Sequence, residues 1–160
     1  MLKQIAEEVG NTGKAYGADI SPGMSEVTGR RLTKTGLLGR VKLYCGDALN
    51  LPCDNEFLDT AFMSFTLELF DAPEIPKLLE EVKRVLKVGG RLGVVGMSKE
   101  NGRAMSLRVY EWLRRKMPKY FDCRPIYFER SLRDSGYLIV SKLRTKMFSL
   151  PIEIVIAVKQ

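Results

Sequence analysis

Apolar residues recur three or four positions apart in five segments of the chain, which is the spacing of amphipathic helices. Start and stop signals agree with this spacing, because Ser21 can cap the second segment with Pro22 in its first turn. Gly89 and Gly90 follow the third segment and end it. The predicted helices cover residues 2–9, 21–36, 74–87, 103–116 and 129–135.

Strand patterns alternate with these helices. Residues 41–45 alternate apolar and polar side chains, and residues 57–65 form a nearly continuous apolar run, typical of a strand covered on both faces. The predicted strands cover residues 14–20, 41–45, 57–65, 91–97, 137–148 and 152–159. Only residues 149–151 separate the last two strands, so we expect them to be antiparallel neighbours.

This order of elements predicts an α/β fold with a mostly parallel sheet, covered on both faces, and a C-terminal antiparallel hairpin. The chain has 160 residues and 45% apolar content, so we expect residues 1–160 to form a single domain. The sequence has no apolar run of about 18 residues, and its first eight residues are too charged for a signal sequence. We therefore predict a cytoplasmic protein with no membrane partner.

The net charge and the histidine content limit which catalytic sites and binding partners the chain can have. The chain has no histidine, which excludes His-based triads and His metal sites, and we predict no metal centre. The net charge of +7 favours anionic partners. Much of it lies in residues 30–31, 114–116 and 142–146 beside apolar residues, which favours a solvated face over an RNA-binding surface. Three widely spaced cysteines are expected to be buried or half-buried free thiols: Cys45, Cys53 and Cys123.

Five segments, in this order and spacing, resemble the class I S-adenosylmethionine-dependent methyltransferases. The resemblance is strongest to the branch that contains the ubiquinone and menaquinone biosynthesis C-methyltransferases, and it covers nearly the whole chain. The segments are GADISPGM (17–24), VKLYCGDALNLP (41–52), FLDTAFMSFTLELF (57–70), EEVKRVLKVGGRLGVVGM (80–97) and DCRPI (122–126). The resemblance implies a Rossmann-like sheet with strand order 3-2-1-4-5-7-6, in which strand 7 is antiparallel.

The resemblance also implies a site for S-adenosylmethionine. Asp19 matches the acid that accepts hydrogen bonds from the ribose hydroxyls, and Asp47 matches the acid that accepts from the adenine amino group. The implied cofactor-binding residues are Asp19, Ile20, Met24, Asp47, Ala48, Leu49, Ser64 and Phe65. Two local alternatives stay open, because Asp19 could help Ser21 begin a helix and Asp47 could be a turn residue.

One part of the family pattern has no counterpart in this sequence. The central first strand and the glycine loop that follows it would precede Met1, so we expect a domain shortened at its N-terminus. Without that strand, two strand edges would lack partners. Three arrangements stay open: the neighbouring strands close on each other, another chain or a second copy supplies the strand, or the native protein continues upstream.

The residues at the end of the third predicted strand limit the possible classes of methyl acceptor. They read SFTL at 64–67, unlike the Asn/Asp-Pro-Pro-aromatic motif typical of enzymes that methylate amides or nucleobase amino groups. We expect a small-molecule acceptor methylated at carbon or oxygen, with an impaired methyltransferase-like domain that binds a partner, including RNA, as the alternative. No catalytic residue is assigned. Glu68, Asp71 and Tyr110 are candidate bases, but surface or helix-start roles are favoured for the first two and core packing for Tyr110.

The predicted helix at residues 103–116 would roof the substrate side in the resembled fold. Its aromatic and methionine side chains predict either an apolar acceptor pocket or an ordinary core stripe: Met105, Tyr110, Trp112 and the neighbouring Met117. The basic side chains near them could guide an anionic substrate: Arg108, Arg114, Arg115 and Lys116.

Overall fold

The computed structural model describes residues 1–97, 126–147 and 150–160. The chain forms two compact units, Met1–Cys53 and Asp54–Gln160; the expectation of a single domain stays a prediction. The helix predicted at residues 103–116, with its pocket, base and anion-guiding residues, and the thiol of Cys123 lie outside the described residues. Within the described ranges, no helix is long and apolar enough to cross a membrane.

The first unit is a two-stranded parallel sheet with two helices. Its elements are α1 (Leu2–Glu8), β1 (Ala15–Asp19), α2 (Pro22–Lys34), a 3-10 turn (Leu38–Arg40) and β2 (Val41–Cys45). β1 and β2 pair in register from Ala15 opposite Val41 to Asp19 opposite Cys45. The buried core joins both helices to both strands: Ala6, Ala15, Leu32, Leu37 and Val41.

The predicted start of α2 is confirmed. Ser21 has an extended backbone, and its hydroxyl accepts a hydrogen bond from the amide of Met24 at 3.3 Å. Pro22 occupies the first turn, where its missing N–H costs no helical hydrogen bond. Gly36, just beyond the end of the helix, has a φ of 70° that a glycine adopts without steric cost.

The second unit holds a four-stranded sheet. Its elements are β3 (Leu58–Ser64), a 3-10 turn (Leu67–Leu69), α3 (Ile75–Val85), β4 (Leu86–Met97), α4 (Phe128–Asp134), β5 (Tyr137–Met147) and β6 (Leu150–Lys159). The strand order is β3-β4-β6-β5. β3 and β4 are parallel, and β6 is antiparallel to both β4 and β5.

These directions confirm the predicted α/β class and the antiparallel C-terminal hairpin. Since β5 is antiparallel to β6, it runs in the same direction as β3 and β4, so β6 alone is reversed in this sheet. Within each unit, strand neighbours follow the order implied by the resemblance. The pair β1-β2 corresponds to strands 2 and 3, and β3-β4-β6-β5 corresponds to 4-5-7-6.

The predicted boundary between α3 and β4 is wrong by several residues. The helix ends at Val85, two residues before the predicted end, and β4 begins at Leu86 rather than at Arg91. The cause is a tertiary contact, because the amides of residues 56 and 57 donate to the carbonyl oxygens of Arg84 and Val85, each at 2.9 Å. The strand pairing then shifts register, and Gly89 within this irregular stretch has a φ of 76°.

Two burial predictions are also wrong. β3 is not covered on both faces, because Asp59 and Thr60 are exposed and Phe62 is 42% exposed. The reason is that an apolar run predicts a strand without showing which of its faces are covered. Cys45 is an exposed free thiol because it ends β2 at the sheet edge, whereas Cys53 is half-buried as expected.

Close packing around Gly96 generates a stability prediction. A Cβ atom at this position would collide with the carboxyl of Glu68 and the ring of Phe128, both of which are buried. We expect Gly96→Ala to lower the free energy of unfolding by about 1–3 kcal/mol, as overpacking does. Urea unfolding measures the loss. Gly39→Ala is the control, because a Cβ at that position meets open space and should leave stability almost unchanged.

Candidate functional site

Two aspartates predicted to hold a nucleoside lie at one edge of the first unit's sheet. Asp19 is the last residue of β1, and its carbonyl oxygen accepts from the amide of Gly46 at 3.0 Å. Asp47 follows Gly46 directly. Because β1 and β2 are parallel, their carboxyl ends meet at the same edge, where open α/β sheets bind ligands.

The two carboxylates make the same local hydrogen bond. Asp19 Oδ1 accepts from the amide of Ser21 at 2.8 Å, and Asp47 Oδ1 accepts from the amide of Leu49 at 2.9 Å. Both predicted local roles, at a helix start and in a turn, are therefore present. They leave room for a ligand, because both aspartates are exposed and neither Oδ2 has a partner in the part of the chain that the structure describes.

Apolar residues follow both aspartates along the chain. Ile20 is 76% exposed and Met24, in the first turn of α2, is 52% exposed. Ala48 and Leu49, after Asp47, are half-buried. A nucleoside requires hydrogen-bond acceptors for its hydroxyl and amino groups and apolar contacts for its ring. The residue types at this edge fit that requirement.

Ser64 and Phe65 lie in the second unit, at the carboxyl end of β3. Ser64 is the last residue of the strand, and both side chains are half-buried. Phe65 has a φ of 51°, which is unusual for a residue other than glycine. Such a conformation costs about 1–3 kcal/mol and is concentrated at functional sites. The amide of Phe65 donates to the carbonyl oxygen of Val95 at 2.7 Å.

Glu68 is buried, so the surface role expected for it is wrong; it does lie in the first turn of the 3-10 helix Leu67–Leu69, but its side chain bonds to β4. The residue is only 1% exposed, and its Oε1 accepts from the amide of Met97 at 2.6 Å. Its Oε2 is buried without a hydrogen-bond partner among residues 1–97, 126–147 and 150–160. Asp71, in contrast, is exposed at the start of α3, where its carbonyl oxygen accepts from the amide of Ile75 at 3.2 Å.

Burial raises the pKa of the Glu68 carboxyl, and the hydrogen bond from Met97 opposes this shift only in part. The charged groups on the neighbouring hairpin are paired with one another. Buried Glu153 on β6 contacts Lys142 at 2.9 Å and Arg144 at 3.3 Å. Glu129 at the start of α4 also pairs with Lys142 and has a lowered pKa for that reason. Among the residues that the structure describes, no salt bridge pairs Glu68 with a cation, so nothing of that kind offsets the effect of burial on its pKa.

Two features near the carboxyl end of β3 have weak or absent signals in the sequence. Glu68 stands between two leucines, and this apolar context is the one sign that the acid is buried. Nothing in the sequence indicates the positive φ of Phe65, because such a conformation ordinarily selects glycine or asparagine. In the described ranges, no group of three or more His, Cys, Asp or Glu residues could hold a metal ion.

The raised pKa of Glu68 predicts how stability depends on pH. The folded protein keeps this proton at pH values where the unfolded chain, with an ordinary pKa of about 4.3, releases it. The free energy of unfolding relative to Glu68→Gln should therefore fall as pH rises from about 4.3 through the folded pKa. Urea unfolding across this pH range measures the difference. A difference that rises with pH would show that the folded protein holds Glu68 ionised.

Comparison with known proteins identifies the family. A family model described as a methyltransferase domain matches residues 1–90. A demethylmenaquinone methyltransferase of Symbiobacterium thermophilum is 32% identical over 138 residues, covering 79% of this chain and 54% of that protein. A ubiquinone/menaquinone biosynthesis C-methyltransferase of Hydrogenovibrio crunogenus is 41% identical over 101 residues, covering 62% of this chain and 38% of that protein. The chain spans about half the length of the curated relatives it matches.

Solved structures agree on the fold. An S-adenosylmethionine-dependent methyltransferase from Methanosarcina mazei matches with a TM-score of 0.79 and 18% identity, over 98% of this chain and 85% of that one. A geranyl diphosphate methyltransferase in complex with S-adenosylmethionine matches with a TM-score of 0.76 and 15% identity, over 98% and 73%. With the family model and the strand order, these matches show that the chain belongs to the class I S-adenosylmethionine-dependent methyltransferase family.

Proposed function

We propose that this chain acts as an S-adenosylmethionine-dependent methyltransferase, or as the methyltransferase domain of a longer protein, on a small-molecule acceptor. The pair of exposed carboxylates at the ends of successive parallel strands carries the proposal. Asp19 and Asp47 each use one oxygen for a local hydrogen bond and leave the other for a ligand. Two such acids at one sheet edge match the ribose and adenine contacts that the family resemblance implies.

The fixed orientation of each acid supports cofactor binding. The Ser21 and Leu49 amides hold Oδ1 of Asp19 and Asp47, so a ligand would meet carboxylates whose rotamers are already restricted. Asp19 would accept from the ribose hydroxyls and Asp47 from the adenine amino group. Ile20 and Met24 would pack beside the ring, which would cover apolar surface that is otherwise exposed.

S-Adenosylmethionine supplies an electrophilic methyl carbon, and transfer from it is an in-line displacement that depends on positioning. The protein's task is therefore to hold the nucleoside, orient the acceptor and exclude water. Ser64 and Phe65, at the carboxyl end of β3, remain predicted contacts at the cofactor rim. No side chain is assigned as a base, because a base is required only when the acceptor must lose a proton.

The acceptor is proposed as a small molecule methylated at carbon or oxygen. The SFTL sequence at 64–67 lacks the Asn/Asp-Pro-Pro-aromatic motif of amide and nucleobase amino methylation. The relatives are a demethylmenaquinone methyltransferase and a ubiquinone/menaquinone biosynthesis C-methyltransferase, and the second name supports carbon as the acceptor atom. A cytoplasmic location, expected from the sequence, forms part of this proposal, as does association with a second copy or a partner chain.

Loss of the carboxylate charge tests the nucleoside site. Asp19→Asn keeps an oxygen that can accept from the Ser21 amide but removes the negative charge and one acceptor. We expect S-adenosylhomocysteine affinity, measured by calorimetry, to fall at least about tenfold, because hydrogen bonds to charged groups are worth about 1.5–3 kcal/mol. Asp47→Asn should weaken binding in the same direction.

Asp134→Asn is the matched control, because Asp134 is an exposed aspartate at the end of α4 whose ion pair with Arg130 is also exposed. It should bind S-adenosylhomocysteine as the unaltered protein does. Equal affinity in all three variants would remove Asp19 and Asp47 from the site. Absence of any binding by the folded, unaltered chain would contradict the proposal that it binds the cofactor by itself.

A further inference from the structure

We propose that Glu68 is a positioning residue: it fixes the rim turn, defined as residues 65–69, to the end of β4 and so holds Phe65 at the carboxyl edge of the sheet. The inference rests on the proposed function, because Phe65 is one of the residues proposed to contact the cofactor. Glu68 is not among the proposed cofactor contacts, and the inference gives this buried acid a role. Glu68 acts through Phe65 and is not itself a catalytic residue.

Two hydrogen bonds attach the rim turn to β4, one at each end of the turn. The Phe65 amide donates to the carbonyl oxygen of Val95 at 2.7 Å. Three residues later, Glu68 Oε1 accepts from the amide of Met97 at 2.6 Å. The two attachment points on β4 flank Gly96, so the turn is held on both sides of one residue.

The conformation of Phe65 requires such a restraint. A backbone φ of 51° lies in the left-handed region, which is unfavourable for residues other than glycine. Phe65 therefore keeps this conformation only where the surrounding structure holds it. The rest of the turn gives local support, since the amide of Leu69 donates to the carbonyl oxygen of Thr66 at 3.1 Å and Leu67 is fully buried. The bond from Glu68 is the turn's side-chain attachment to a neighbouring strand among the residues described.

The surroundings of Glu68 are built to hold its side chain in one place. Gly96 supplies the space, because a Cβ there would collide with Glu68 and with Phe128. Burial makes the hydrogen bond to Met97 worth more than an exposed one, and loss of the acceptor would leave a buried N–H unsatisfied. A surface acid would need none of these arrangements.

Two substitutions separate the hydrogen bond from the volume of the side chain. Glu68→Gln keeps an oxygen that reaches the Met97 amide, whereas Glu68→Met has similar length and no comparable acceptor. Val82→Ala, at a buried position on α3, is the control for general loss of stability. Glu68→Asp replaces Glu68→Met if that variant does not fold, because its shorter side chain does not reach the same amide.

Amide hydrogen exchange in the absence of ligand measures directly how firmly Glu68 holds the rim turn. In Glu68→Met, we expect exchange at both Met97 and Phe65 to rise about tenfold more than in Val82→Ala, because a buried hydrogen bond is lost. Glu68→Gln should stay within about twofold of the unaltered protein. Faster exchange at Met97 with no change at Phe65 would overturn the proposal, since Glu68 would then not hold the turn.

The affinity for S-adenosylhomocysteine measures how loss of this restraint affects the proposed cofactor site. Glu68→Met should bind about tenfold more weakly than Val82→Ala, and Glu68→Gln about as well as the unaltered protein. Equal affinity in the Met and control variants would reduce Glu68 to a stabilising residue and overturn its positioning role. If the unaltered protein does not bind, the proposed function fails together with the link to the cofactor, while hydrogen exchange still decides whether Glu68 holds Phe65.

Discussion

Parallel pairing of strands is the constraint on which the candidate site depends. Two parallel strands end at the same sheet edge, so residues far apart in sequence meet there without any long-range contact between their side chains. Asp19 and Asp47 meet in this way through β1 and β2, and Ser64 lies at the end of β3, which is parallel to β4. The chemistry at each edge follows from the residues at the strand ends.

Much of this fold can be predicted from the sequence because local signals and the final contacts agree. Ser21 and Pro22 begin α2, and the short connection after β5 makes an antiparallel hairpin, as their patterns indicate. The α3–β4 boundary fails for a tertiary reason. The carbonyl oxygens of Arg84 and Val85 bond to amides nearly 30 residues earlier in the chain, which no local pattern records.

The candidate site also has parts that the sequence predicts and parts that it does not. Asp19 and Asp47 can be selected from the sequence because each follows a strand pattern, although their role with the cofactor stays a prediction. The burial of Glu68 and the backbone of Phe65 cannot be selected in this way, since both result from how the rim turn meets β4. A conformation that is unfavourable locally gives no local signal, so it becomes visible only with the structure.

The exposed thiol of Cys45 has a practical consequence. It lies opposite Asp19 in the β1–β2 pairing, with its sulfur 3.9 Å from the carbonyl oxygen of Ile20. A fluorophore attached there would sit beside the proposed nucleoside edge without any new cysteine being introduced. The half-buried Cys53 would react more slowly, since alkylating reagents need an accessible thiolate. The rate at which Cys45 is alkylated would thus report, in the native sequence, whether a ligand covers this edge.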